Sequence, residues 1–130
     1  MRVKNFSLAF GLQLFKAFSE ESRVRILHLI YHQGEMCITD LEHVLNFTQT
    51  KTSRHLSYLK NAGLVYGRPV DQFVYYRIRN QASDVVEQFF QYMSKDSLLL
   101  KDLETYNVLY SNRELAVYKE HLRKWRERRP

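Results

Sequence analysis

Apolar positions recur first at helical spacing. Leu8, Leu12 and Phe15 lie four and three residues apart, a stripe that predicts a helix over about residues 5–18. Ser19 reads as the N-cap of a second helix, with Glu20 and Glu21 in a first turn where the helix dipole favours anions. That helix carries Val24, Ile26, Leu27, Leu29 and Ile30. It is apolar on most sides, which predicts a central position, and Gln33-Gly34 ends it. Met36-Cys37-Ile38 reads as a short extended piece. Thr39 or Asp40 then caps a third helix, with Ile38, Leu41, Val44 and Leu45 on one face. Asn46-Phe47 predicts a brief turn. Thr48 caps a fourth helix that runs to about Ala62 and stops at Gly63.

From Leu64 the period changes. "LVYGRPVDQFVYYRI" is rich in Val, Tyr and Phe, and Gly-Arg-Pro-Val-Asp in its middle predicts the turn of a β-hairpin. Helical spacing returns at Val85, Val86, Phe89, Phe90 and Met93. Leu99, Leu103, Tyr106 and Tyr110 continue it at steps of four and three. Leu115, Tyr118, Leu122 and Trp125 repeat those steps after a slip of phase. Ser111 followed by Glu114 fits a capping box, so a helix break is expected there.

This order of elements predicts a mainly α fold with a small β-hairpin: a winged helix-turn-helix with extra N- and C-terminal dimerisation helices. Residues 1–94 are expected to form the DNA-binding domain, first helix included, and 95–130 a C-terminal helical extension. A chain of 130 residues is one domain's worth. No run approaches the roughly 18 apolar residues of a membrane span. Gln13 and Lys16 interrupt the first helix, so it reads as amphipathic rather than as a signal peptide. One cysteine, Cys37, excludes an intrachain disulfide and a multi-cysteine zinc module, and fits a reducing cytoplasm.

Charge then narrows the partner. Twenty basic against 14 acidic residues give +6, which suggests an anionic partner. From Thr48 to Arg79 there are six cations (Lys51, Arg54, Lys60, Arg68, Arg77, Arg79) against one anion, Asp71. The stretch "TQTKTSRHLSYLKNAGLV" puts Thr48, Gln49, Thr50, Lys51, Ser53 and Arg54 on the first two turns of the fourth helix. There, short donors and acceptors reach phosphates and base edges. Leu56 and Leu59, with the methyl of Thr52, are expected to face inward. The second helix of such a pair enters the major groove N-terminal end first. At the hairpin, Arg68, Gln72 and Arg77 are expected on the neighbouring groove or backbone, and His55 either reaches a phosphate or packs beside the helix. A winged helix serving protein contact is the competing reading, but it calls for an apolar or acidic outer face. Paired carboxylates, a nucleophile–base set and a glycine-rich phosphate loop are all missing from the sequence, so no catalytic residue and no enzyme activity are expected.

"FKAFSEESRVRILHLI", "EMCITDLEHVLNFTQTKTSRHLSYLKNAGLV" and "FVYYRI" together resemble the ArsR/SmtB family of bacterial winged-helix repressors over about half the chain. The resemblance implies a homodimer built on the first and last helices, a two-fold symmetric operator in double-stranded DNA, and repression released by an inducer. Leu8, Leu12, Phe15, Leu99, Leu103, Tyr106 and Tyr110 are accordingly assigned to the dimer interface, with a fold-back of the stripe from Leu99 onto its own domain as the alternative. Tyr106, Tyr110, Tyr118 and Trp125 are an alternative lining for an aromatic or lipid-like small-molecule inducer.

The family's metal sites are not matched. Cys37 stands at the first position of its Cys-x-Cys pair, but Thr39 takes the second. Soft ions want about three thiolates. In the family's C-terminal site, Asp102 and Glu104 are present while positions 115 and 118 are Leu and Tyr. No metal and no cofactor are therefore expected. The alternative is a metal- or thiol-responsive sensor using Cys37 with His28 and His32, which lie four apart on one helix.

Overall fold

The computed structural model describes residues 5–111. The expected stripe Leu115, Tyr118, Leu122 and Trp125, the break after Ser111 and the basic C-terminal end lie outside them. Helix α1 spans Leu8–Phe18 and α2 spans Glu21–Gln33. The two-residue strand β1, Met36–Cys37, leads into α3, Ile38–Leu45. Helix α4, Gln49–Asn61, is followed by β2, Val65–Val70, and β3, Phe73–Ile78. Helices α5, Asn80–Tyr92, and α6, Ser97–Ser111, complete the described chain.

Helix α2 is the centre expected from its composition. Ile26, Leu27, Leu29 and Ile30 are fully buried, and α1, α4, α5, α6, β1 and β3 all pack around them. Leu41, Leu56, Leu59, Leu64, Val65 and Val86 belong to the same core. Its start is shifted by one residue from expectation. Ser19 belongs to α1, where its hydroxyl donates to the Lys16 carbonyl at 2.6 Å. Glu20 is the N-cap of α2, its carboxylate accepting from the Arg23 amide at 2.8 Å.

Neither expected cap starts α3, because Cys37 occupies that place with no side-chain bond to the helix. Asp40 is instead buried in the first turn and accepts 2.8 Å from the Tyr110 hydroxyl on α6. Burial pushes the Tyr110 phenol up from its ordinary value, and the Asp40 carboxylate adds to this. Tyr110 is thus a donor throughout the physiological range.

The sheet order is β1-β3-β2, antiparallel throughout. The hairpin turn is Asp71-Gln72, with Asp71 in the left-handed region at φ 56°. Gly67 to Val70, expected in the turn, lie in β2. Pro69 pairs opposite Val74, which an edge strand tolerates because one of its sides has no neighbouring strand that needs an N–H. Gly63 ends α4 at φ 83°. A Cβ there would also come within 3.0 Å of the Phe10 ring, so two separate constraints require glycine.

The stripe assigned to a second subunit on α6 packs on its own domain instead. Leu99 is 4% exposed, and Leu103, Tyr106 and Tyr110 lie against the same core. Helix α6 crosses α2 and α3. Asp96 caps its start, accepting from the Leu98 and Leu99 amides at 3.0 and 3.1 Å. Asp102 takes a bidentate bond from Arg25 on α2, both contacts 2.9 Å, with the carboxylate side chain 5% exposed. A carboxylate at that depth needs such a partner. No helix among the described residues is long and apolar enough to cross a membrane.

Candidate nucleic-acid interface

The leading edge of α4 is built by its cap. Thr48 Oγ1 accepts from the Lys51 amide at 3.1 Å, and Thr52 Oγ1 donates 2.8 Å to the Thr48 carbonyl. Thr52 is fully buried, so this second bond anchors the first turn from inside. Thr48→Ala is expected to cost about 1 kcal/mol, read as a lower urea midpoint with an unchanged slope. An equal midpoint would show that the cap contributes nothing.

Outward from that anchor, Thr48, Gln49, Thr50 and Arg54 are exposed, while Lys51 and Ser53 are half-buried. Leu56 and Leu59, on the opposite face, are buried. The Lys51 ammonium sits 4.0 Å above the Phe47 ring, which holds it beside the turn. Ser57, Tyr58 and Lys60 continue the exposed face. Helical spacing from Ser53 and Arg54 was the signal for Ser57 and Tyr58. The Arg23 guanidinium lies 4.0 Å over the Tyr58 ring and also donates to the Ala17 and Lys16 carbonyls, at 3.2 and 3.0 Å, closing the end of α1.

His55 is not on this face. It is 7% exposed, with Nδ1 3.7 Å from the Glu20 carboxylate. Burial lowers its pKa, and the Glu20 charge works against that. Of the two places expected for it, a phosphate or packing beside the helix, the structure has the second: one position past Arg54, the 100° step of the helix turns the side chain inward.

In the wing, Gln72 and Arg77 are exposed. Arg68 is exposed too, but both oxygens of Glu35 accept from it, at 2.9 and 2.8 Å. Its charge is already met within the protein. No spacing rule signals a pair 33 residues apart, joined only because Glu35 leads into β1 and the sheet folds back beside it. Between α3, the start of α4 and the wing lies a cleft of about 290 Å³, lined among others by Glu42, Gln49, Gln72, Phe73 and Tyr76.

On another side, α1 leaves Leu8, Leu12 and Phe15 exposed by 79%, 52% and 76%, beside Tyr92 at the end of α5, which is 91% exposed. A groove of about 220 Å³ between the two helices is lined by Phe6, Phe15, Phe18, Phe89 and Tyr92.

Among the described residues no three His, Cys, Asp or Glu side chains come together to hold a metal ion. The His28 and His32 rings meet edge-on at 4.5 Å, and Cys37 is buried. His28 is 3% exposed, its Nδ1 has no hydrogen-bond partner, and burial lowers its pKa to about 4.

Comparison with known proteins agrees with this geometry. The family model described as "Bacterial regulatory protein, arsR family" matches residues 20–66, from the start of α2 into β2. An arsenic resistance transcriptional regulator of Pseudomonas putida is 34% identical over 98 residues, covering 69% of this chain and 77% of its own length. The arsenical resistance operon repressor of Escherichia coli is 39% identical over 72 residues, 55% of this chain and 62% of its own. Among solved structures, HlyU from Vibrio cholerae superposes with a TM-score of 0.62 at 27% identity, over 67% of this chain and 95% of its own. The homodimeric winged helix-turn-helix domain of Mb0332 from Mycobacterium bovis gives 0.60 at 27%, over 70% of this chain and 83% of its own. With its winged helix-turn-helix and the exposed polar edge of α4, this chain belongs to the ArsR family of transcriptional regulators.

Proposed function

We propose that the chain is a dimeric repressor in the cytoplasm whose α4 reads a two-fold symmetric operator. The observation that carries this reading is the division of α4: Gln49, Thr50 and Arg54 exposed at its leading edge, Leu56 and Leu59 buried behind. Two such edges related by a dyad reach successive major grooves. The wing adds Gln72 and Arg77 on the flanking backbone. The apolar face of α1, with Leu8, Leu12 and Phe15 and the end of α5 beside it, is the surface that a second copy covers. That the similar Mycobacterium bovis domain is homodimeric supports a dimer, and the exposed apolar face of α1 is what selects this surface for it. Repression of this kind ends when a small-molecule inducer binds.

Gln49→Ala and Arg54→Ala are each expected to weaken binding to a duplex from upstream of the protein's own gene by about tenfold or more, the loss of one base-reading side chain. The measurement is fluorescence anisotropy against a scrambled duplex. Wild-type affinity and wild-type preference in both variants would refute the placement of α4.

A further inference from the structure

Helix α6 lies wholly beyond the residues that the family model matches, yet it is fastened to the helix-turn-helix at two depths. Asp102 is tied to Arg25 on the central helix. Tyr110, eight residues on and so about 12 Å along the axis, is tied to Asp40 in the first turn of α3. Leu99, Leu103 and Tyr106 pack on the core, and the Tyr106 and Tyr110 rings meet at 4.6 Å. The far end of α6 therefore rests on a framework that α2 fixes and reaches over to α3. Helix α3 in turn packs on α4 and leads into it through Asn46 and Phe47, with Asn46 in the left-handed region at φ 56°. Between these helices the chain has only that short turn, so a displacement of α3 is passed to Thr48 and Gln49.

We propose that α6 is a clamp on the reading helix and that Tyr110 is its positioning residue: by donating to Asp40 it fixes the start of α3, and through α3 the leading edge of α4. Asp40 is 4% exposed. Without the Tyr110 hydroxyl the bond that ties α6 to the first turn of α3 is lost, and the start of α3 is held less firmly. Tyr110 itself touches no nucleic acid in this scheme. The effect on DNA is indirect and rests on the reading that α4 meets the operator.

Tyr110→Phe removes one oxygen and keeps the ring. It is expected to weaken binding to the upstream duplex about tenfold, equivalent to about 1.4 kcal/mol, and to speed amide exchange across α3 and the first turn of α4. The control is Val86→Ala, in the fully buried part of α5. It is expected to lower the melting temperature more than Tyr110→Phe does, yet leave affinity within about twofold, measured well below both melting transitions. Unchanged exchange over α3 in Tyr110→Phe overturns the clamp. So does faster exchange with wild-type affinity, or an equal loss of affinity in Val86→Ala. If Gln49→Ala and Arg54→Ala weaken binding while Tyr110→Phe does not, the clamp alone has failed. If those two are silent, the α4 reading has failed, and the exchange result still reports on the clamp.

Discussion

Raising salt from 50 to 200 mM is expected to weaken binding to the upstream duplex by about a thousandfold, about 4 kcal/mol. Arg54, Lys60, Arg77 and Arg79 are exposed. Arg68 is left out of this set because Glu35 already meets its charge. If a dimer neutralises about six phosphates, log K falls against log salt with a slope of about −5. The scrambled duplex should show nearly the same slope at lower affinity, since phosphate contacts carry little sequence information. A slope shallower than about −2 would mean that this basic face is solvated rather than laid on a backbone.

Acid is the second lever. His28 is buried against Phe90 and His32, and its pKa is about 4 in the folded protein against 6.5 in the unfolded chain. Burial is the largest cause, with the His32 charge adding to it. Above pH 6.5 the residue is neutral in both states and costs nothing. As pH falls from 6.5 towards 4, the unfolded chain takes up the proton first, so stability is lost across that window. The loss is about 2 kcal/mol by pH 5 and on the order of 3 kcal/mol below pH 4. Burial also lowers His32, and lowers His55 against the pull of Glu20, so both act in the same direction. The lowered Glu20 carboxylate adds a loss only at lower pH. Urea midpoints at pH 7 and pH 5 measure this, with His28→Leu expected to flatten most of the difference. Equal midpoints in the wild type, or an equal drop in the leucine variant, would refute it.

What the sequence revealed was whatever depends on neighbours in the chain. Thr48 as a cap, Gly63 as a stop, the depth of α2 and the polar edge of α4 all follow from spacings of a few residues. Local rules failed where two chemically equivalent choices stood side by side. Ser19 and Glu20 can both cap a helix, and the choice fell to Glu20 because Ser19 closes the helix before it. The wing turn lies later than Gly67 and Pro69 suggest, because both residues also suit an edge strand. Asp71 supplies the left-handed residue that the hairpin needs.

The remaining differences come from contacts distant in sequence. His55, turned inward by the step of the helix, meets Glu20 from the start of α2. Arg68 pairs with Glu35 across the sheet, and Asp40, one of two cap candidates for α3, instead accepts from a hydroxyl 70 residues away. The α6 stripe showed how much apolar surface had to be covered, but periodicity does not say by what. In the structure it is the chain's own α2 and α3.

The sheet has one further consequence. One of its borders is β1, only two residues long, and the other carries Pro69. Neither offers a foreign strand an unbroken run of amide and carbonyl groups to anneal to. Wings brought close together at neighbouring sites on a chromosome are thus protected from fusing into fibrous aggregates, even where the protein is locally concentrated.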